Sequence, residues 1–132
     1  MDDKWKTLAG AMRAEIEAIP RAMLQDDAAR GAVLSLLYQA VAQMGLTPVL
    51  YWKPPRSTRE KIDLVGVDSG GEVPEVKIAF AVDPLVELAK VKAMEWVECP
   101  DKIVVTYSPR QDKVSQSTFF LTPALEHINL FD

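Results

Sequence analysis

Apolar residues recur at helical spacing in two stretches near the N-terminus. They predict one helix over residues 4–19, which Pro20 limits because proline restricts the residue before it. A second helix is predicted to begin near Asp26 or Asp27, either of which can cap it, and to end near Gly45, which suits a left-handed exit. The first helix is expected to be a peripheral addition to the fold.

Runs rich in valine and isoleucine predict strands in the middle of the chain. Pro48–Trp52 is a short apolar run, and the segments Lys61–Val67 and Val73–Phe80 flank a turn cluster. The glycines of that cluster, Gly70 and Gly71, are expected to supply positive φ angles. The two longer segments are therefore predicted to form a β-hairpin.

The C-terminal part predicts another helix, two strands and a short helical end. Asp83 resembles an N-cap for a helix that runs to about Val97. Lys102–Tyr107 predicts a strand, Ser117–Leu121 predicts a weaker one, and a helical end is expected from Pro123. This order indicates an α/β fold: a mixed central sheet, made of an antiparallel meander plus a further strand, flanked by helices.

Composition narrows the class of protein. A chain of 132 residues with 48% hydrophobic content suits one domain over residues 1–132. No apolar run approaches the roughly 20 residues that span a bilayer, and the N-terminus lacks a signal segment. The single cysteine, Cys99, fits a reducing compartment. We therefore expect a cytoplasmic protein with no membrane partner.

Charge is unevenly distributed along the chain. A net charge of -4 argues against a surface that is basic all over and binds nucleic acid by bulk electrostatics. The loop before the hairpin is nevertheless basic, with Lys53, Arg56, Arg59 and Lys61 against only Glu60. These basic residues are expected to steer the phosphate backbone of a substrate.

Three ionisable residues, Asp63, Glu75 and Lys77, interrupt the hairpin strands. Burying a charge is costly unless it is paired or binds a metal, so their positions need a reason. Alternation puts Glu75 and Lys77 on one face. Asp63 joins them only if the turn has an odd number of residues or a β-bulge resets the parity, and we expect one of the two. Opposite faces for Asp63 and Glu75 would remove the catalytic interpretation.

Two carboxylates beside an ammonium group suit metal-assisted hydrolysis of a phosphodiester. In that interpretation Asp63, Glu75 and the carbonyl of Val76 hold Mg²⁺ or Mn²⁺, and no organic cofactor is needed. Lys77 would position or activate the attacking water and stabilise the developing charge. The alternative is a partly solvated ion pair between Glu75 and Lys77, with Asp63 satisfied nearby. For an arbitrary string with this spacing, the alternative is the commoner outcome.

The motif and the order of elements together resemble the PD-(D/E)XK, or restriction-endonuclease-like, nuclease superfamily. The similarity covers residues 26–107 and consists of a helix, a three-stranded meander, a helix and a strand. It implies a restriction-endonuclease-like core, metal ligands at Asp63 and Glu75, and a catalytic lysine at Lys77. The chain departs from the family in two ways: Ile62 stands where proline is typical, and the first core helix lacks a glutamate.

The helix after the hairpin carries a further candidate, Lys92. It falls near the middle of a predicted buried stripe, whereas Lys90 is expected to point outward; the stripe consists of Leu85, Leu88, Ala89 and Trp96. In related nucleases a polar residue on this helix can assist at the active centre, so the resemblance implies an assisting role for Lys92. The alternative is that Lys92 extends past the core edge to water.

The sequence supports two functions of different class. The first is a metal-dependent nuclease that hydrolyses DNA, either alone or as a homodimer that presents two sites. The second is a non-catalytic module on the same fold, which binds a protein or nucleic acid and retains the charged residues by descent. A third, weaker interpretation is a sheet domain unrelated to nucleases, in which these charges form surface ion pairs.

Overall fold

A computed structural model describes residues 2–56 and 59–132 of the chain. Its elements are helix α1 (Asp3–Glu17), a 3₁₀ turn (Arg21–Met23), helix α2 (Asp26–Gln43), strands β1 (Thr47–Trp52), β2 (Ile62–Asp68) and β3 (Glu75–Asp83), helix α3 (Leu88–Glu95), strand β4 (Asp101–Thr106), helix α4 (Gln111–Ser117), a second 3₁₀ turn (Thr118–Phe120) and strand β5 (Glu126–Asn129). Within the described ranges, no helix is both long and apolar enough to cross a bilayer.

The strands form one five-stranded sheet in the order β1-β2-β3-β4-β5. β1, β2 and β3 form the predicted antiparallel meander, and β4 and β5 continue parallel to β3. A parallel pair needs a crossover connection, which contains α3 between β3 and β4 and α4 between β4 and β5. The predicted α/β class, with a mixed sheet flanked by helices, is confirmed.

The C-terminal part differs from the sequence prediction. Residues 117–121 include the end of α4 and the second 3₁₀ turn rather than a strand, and residues 126–129 form β5 rather than a helical end. The short β5 is stabilised by its ladder with β4, and Ile128 is buried at its centre. Pairing with a distant strand therefore outweighs the weak local propensity of such short segments.

Each face of the sheet carries a hydrophobic core. On one face, α1 and α2 pack over residues such as Leu64 and Phe80, and Trp5 of α1 meets the Phe80 ring edge-on with centroids 5.7 Å apart. On the other face, α3 packs over residues that include Val65 and Ala81. The N-terminal helix thus contributes buried side chains to the first of these cores.

The hairpin between β2 and β3 contains an irregularity that changes its parity. Asp68 pairs with Glu75, whereas Gly66 pairs with Ile78, so β3 holds one extra residue, Lys77. The connection between Asp68 and Glu75 has an even number of residues, so the odd turn, one of the two predicted alternatives, is absent. The β-bulge that the sequence prediction offered as the alternative is present.

The glycine that ends α2 has the predicted positive φ angle, whereas the two hairpin glycines do not. Gly45 ends α2 with φ +81°, as predicted. Gly70 and Gly71 are not among the described glycines with positive φ, so that prediction is wrong. Instead, the Gly70 N–H donates to Oδ1 of Asp68 at 2.9 Å, which closes an Asx-type turn.

Substitution of Gly66 tests the packing of β2 against α2. A Cβ there would lie 2.7 Å from Cγ2 of Ile78 and 2.8 Å from Cγ1 of Val41, both buried β-branched side chains. Gly66→Ala is therefore expected to lower the free energy of unfolding by about 1–3 kcal/mol, measured by urea denaturation. The control is Gly31→Ala on α2, where nothing lies within 4 Å and helix propensity favours alanine. Equal stability of Gly66→Ala and the parent would contradict this packing.

Candidate functional site

Buried and half-buried charges meet at the edge of the sheet where β2 begins and β3 and β4 end. We call this group the charged cluster; it consists of Asp26, Arg30, Asp63, Asp83, Lys90 and Tyr107. Its members come from α2, β2, β3, α3 and the residue after β4. Carboxyl ends of parallel strands are the usual location of ligand sites in α/β proteins, and the charged cluster lies at the carboxyl ends of β3 and β4.

Asp63 lies at the inner end of the charged cluster and is only 3% exposed. The ammonium of Lys90 donates to its Oδ1 at 2.9 Å and to its Oδ2 at 2.8 Å. The backbone N–H of Val82 donates to Oδ2 at 2.7 Å. Such charge-assisted bonds are what a buried carboxylate requires, so Asp63 is satisfied by the protein itself.

Asp83 shares the same lysine. Its Oδ1 accepts from Lys90 at 3.0 Å and lies 3.2 Å from Nη2 of Arg30. The predicted N-cap role of Asp83 is wrong, because Asp83 is the last residue of β3 and the N-cap of α3 is Glu87. Pairing of β3 with β4 extends to this residue, and its carboxylate binds the two cations rather than a helix terminus.

The outer end of the charged cluster joins α2 to β4. The hydroxyl of Tyr107 donates to Oδ1 of Asp26 at 2.6 Å, and Nη2 of Arg30 donates to Oδ2 of Asp26 at 3.1 Å. The predicted cap at Asp26 is wrong, because the N-cap is Gln25 and no side chain makes a capping bond. Asp26 instead binds side chains, and its half-exposed carboxylate is more exposed than the side chains of Arg30 and Lys90.

The electrostatic state of the charged cluster follows from burial and pairing. Burial raises the pKa of Asp83 to about 6, even though Lys90 and Arg30 act in the opposite direction. Burial alone would lower the pKa of Lys90, but the bonds and charges of Asp63 and Asp83 outweigh burial and raise it. Lys90 is therefore protonated at neutral pH, and the raised pKa of Asp83, about 6, lies near neutral.

Glu75 and Lys77 lie far from this edge. Leu64, the neighbour of Asp63, pairs with Phe80, whereas Glu75 begins β3 near the hairpin tip. At about 3.3 Å per residue, Glu75 is roughly 15–20 Å along the sheet from Asp63. Nζ of Lys77 contacts Oε2 of Glu75 at 2.8 Å, with side chains 40% and 66% exposed, respectively. The predicted contact between Glu75 and Lys77 is present, but it is a surface ion pair.

The faces of the sheet also separate the predicted residues. Val67 pairs with Val76 beyond the bulge, and both pack toward the α3 face, as does Val65. Asp63 is two residues from Val65, so its side chain lies on the same face. Glu75 is adjacent to Val76, so its side chain lies on the opposite face. The predicted arrangement of Asp63, Glu75 and Lys77 on one face is therefore wrong. The bulge does not bring Asp63 and Glu75 together, because the extra residue lies within β3 between Glu75 and the part of the strand that pairs near Asp63.

The predicted metal ligands do not fit one ion in this structure. Asp63 is separated from Glu75 and Val76 along the sheet, and its oxygens bind Lys90 and Val82. Across residues 2–56 and 59–132, no group of three or more His, Cys, Asp or Glu side chains could hold a metal ion. Asp63, Glu75 and the Val76 carbonyl therefore do not form a common site for Mg²⁺ or Mn²⁺.

The orientations of the two α3 lysines are the reverse of those predicted. Lys90 points into the charged cluster, whereas Lys92 is exposed. The predicted stripe is wrong because α3 begins only at Leu88, which is exposed, as is Trp96. The buried positions include Val91 and Met94. The spacing of Lys90 four residues before Met94 was the signal that it borders the buried face.

The predicted basic residues remain at the surface. Lys53, Arg56, Arg59 and Lys61 are all exposed on the connection from β1 to β2, of which residues 57–58 lie outside the described part. Trp52 pairs with Ile62, so this connection leaves the sheet at the same edge as the charged cluster. Contact of these residues with phosphate stays a prediction.

Comparison of the chain with protein-family models, with curated proteins and with solved structures found no match.

Replacement of Lys90 tests the charged cluster directly. Lys90→Met leaves the carboxylates of Asp63 and Asp83 without their shared cation, and breaking a buried ion pair from one side costs about 3–5 kcal/mol. The control is Lys92→Met on the same helix, for which we expect a change within about 0.5 kcal/mol because Lys92 is exposed. Chemical denaturation measures both. Similar losses from the two variants would contradict the assigned role of Lys90.

The titration of Asp83 predicts a pH dependence of stability. Its folded-state pKa is raised from 3.8 to about 6, so the folded protein holds this proton more tightly than the unfolded chain does. The contribution of Asp83 to stability therefore falls as pH rises through that window. Asp83→Asn cannot ionise, and its stability relative to the parent should rise between pH 4 and pH 7 in urea denaturation series. A relative stability that falls over this range would show that the ion pairs outweigh burial.

Proposed function

We propose that the chain is a non-catalytic interaction module on a restriction-endonuclease-like scaffold. The observation that carries the proposal is the state of Asp63. It is buried, both of its oxygens are bound by Lys90, and the exposed pair of Glu75 and Lys77 lies elsewhere. A carboxylate that is to act on a substrate must be reachable, and this one is held within the protein.

The order of elements supports the scaffold. Helix α2, the meander β1-β2-β3, helix α3 and strand β4 follow one another as in the superfamily that the sequence resembles. Asp63 occupies the strand on which the resemblance places a metal ligand. The scaffold and the position of its aspartate are therefore consistent with descent from a nuclease, whereas the surroundings of the aspartate favour a structural role.

In this proposal, the charged cluster fixes how the helices pack on the sheet. Through Lys90 and Arg30 it connects α3 and α2 to the ends of the central strands β2 and β3. An ion pair of this kind is not a reliable source of net stability, but it disfavours alternative packings that would leave a charge buried and alone. In this chain, residue types that a nuclease uses for chemistry hold α2 and α3 in position on the sheet.

One observation favours a second candidate, a DNA-hydrolysing nuclease with a rearranged site. The carboxylates of Asp63 and Asp83 converge on the ammonium of Lys90, at 2.8 and 3.0 Å. Two carboxylates and a lysine are the groups that the resemblance implies, and the basic connection leaves the sheet at the same edge. In this candidate, Asp83 and Lys90 replace Glu75 and Lys77, and the ammonium must release Asp63 before a substrate is engaged.

A cleavage assay separates the two candidates. Purified protein is incubated with supercoiled, linear and branched DNA in the presence of Mg²⁺ or Mn²⁺, beside Asp83→Asn and Glu75→Ala variants. We expect no cleavage by any of them. Cleavage by the parent that is lost in Asp83→Asn and kept in Glu75→Ala would establish the rearranged nuclease. Loss in Glu75→Ala, matched by Lys77→Ala, would return the function to the residues predicted from sequence.

A further inference from the structure

A cavity of about 490 Å³ lies between the segment that joins α1 to α2 and the loops at the carboxyl ends of β3 and β4. We call it the α1–α2 cavity. Residues of the joining segment form one wall, and Pro84 and Ser108 belong to the other. Its volume falls within the range of about 300–1,000 Å³ that is typical of small-molecule sites. Much of its lining is apolar or aromatic, and includes Ile16, Ile19, Leu24, Ala29, Tyr107 and Phe131.

The α1–α2 cavity has a buried apolar floor and a polar mouth. Ile16, Ala29 and Tyr107 are buried and therefore lie at its floor. Arg21 is exposed and Ser108 is half-buried, so both lie closer to solvent. A ligand that fills the cavity therefore needs apolar surface at one end and a polar group at the other.

Two carboxylates line the α1–α2 cavity, and each is already paired with an arginine. Oε1 of Glu17 lies 3.0 Å from Nε of Arg13, and the Arg13 guanidinium lies over the Phe131 ring, 4.8 Å from its centroid. Oδ2 of Asp26 accepts from Nη2 of Arg30 at 3.1 Å. Each carboxylate therefore has a neighbouring cation that offsets its charge.

Two other polar side chains of the lining are free to donate hydrogen bonds. Within the part of the chain that the structure describes, the guanidinium of Arg21 makes no hydrogen bond or ion pair. The hydroxyl oxygen of Ser108 accepts from the backbone N–H of Arg110 at 3.1 Å, and its own hydrogen has no acceptor among the described residues. A guanidinium and a hydroxyl both donate to carboxylates, and the guanidinium can do so with two parallel bonds. The mouth therefore complements a negatively charged acceptor.

We infer that the α1–α2 cavity binds a small amphiphilic carboxylate, with its apolar body on the floor and its carboxylate at Arg21 and Ser108. The apolar floor provides the contact area, and the unpaired guanidinium selects the charge of the head group. The inference adds a small-molecule ligand to the proposed interaction function. It does not depend on that function, because Asp63 is not among the lining residues of the cavity.

Three other occupants fit the lining less well. A cationic head group would meet the unpaired Arg21 and two carboxylates that arginines already bind. A nucleic acid would bring several phosphates to a lining whose charged residues, in the described part of the chain, are one arginine and two carboxylates. Phe119 of a second copy, which is 87% exposed, would supply apolar surface but no acceptor for Arg21.

The test uses the full chain and octanoate as the probe. Octanol is the uncharged control and octylamine is the control of opposite charge, and both carry a similar apolar chain. Titrations followed by amide NMR shifts give the affinity and the location of each. We expect octanoate to shift the amides of Ala29, Ser108 and Phe131. We also expect it to bind about tenfold more tightly than octanol, because hydrogen bonds to charged groups contribute that much, and more tightly still than octylamine.

Two pairs of variants separate the roles of charge and apolar surface. Arg21→Met should weaken octanoate binding about tenfold and leave octanol binding unchanged. Arg56→Met, which removes an exposed arginine of the β1–β2 connection, should change neither. Leu24→Ala should weaken both probes about threefold, since it removes apolar surface from the wall. Leu88→Ala should weaken neither, although Leu88 is 42% exposed and thus similar to Leu24 at 48%.

Several results would overturn the inference. These are no binding of octanoate, shifts confined to other parts of the chain, octanol or octylamine binding as tightly as octanoate, and an unchanged octanoate affinity in Arg21→Met. Self-association that Leu24→Ala abolishes would identify a second copy as the occupant and would also overturn it. DNA cleavage by the protein would instead overturn the proposed function and leave the carboxylate site standing.

Discussion

The ammonium of Lys90 between two buried carboxylates is the interaction on which the rest of this structure depends. Asp63 is the second residue of β2 and Asp83 is the last residue of β3. One ammonium therefore bridges the two strands at the end away from the turn and attaches α3 to them. Arg30 extends the same network to α2 on the opposite face of the sheet. Removing Lys90 leaves the buried carboxylate of Asp63 without a cation and Asp83 with Arg30 alone, so the pairs of this group depend on one another.

This arrangement explains how a nuclease-like sequence pattern can occur in a chain whose geometry separates Asp63 from Glu75 and Lys77. Residue types suited to phosphodiester chemistry are also the types that form strong ion pairs, and burial decides between the two uses. Where β2 begins and β3 ends, the charged side chains pair with one another. Near the hairpin tip, Glu75 and Lys77 stay at the surface and pair with each other.

Sequence reasoning succeeded where the relevant interactions are local. The periodicity of α2 and the exit at Gly45 depend on neighbouring residues, and both were predictable. The meander was recognisable from its valine-rich runs. The contact between Glu75 and Lys77 also followed from their nearness in sequence. The convergence of Asp63 with Asp83 was not predictable, because it depends on how the two strands pair, and a single bulged residue changes that pairing. Lys90 was missed because the start of α3 was placed too early.

The bulge at Lys77 divides the hairpin into two segments with independent parity. In the body, from Gly66 inward, side chains on both faces are buried in the two cores. Beyond the bulge the ladder has only the pairs Val67–Val76 and Asp68–Glu75, and only the two valines pack against a core. Changes in the length of the turn can therefore be absorbed at the bulge without inverting the buried side chains. The charged residues of the hairpin tip can therefore vary while the buried and exposed positions of the sheet stay the same. The surface of the hairpin tolerates changes in turn length that the core does not.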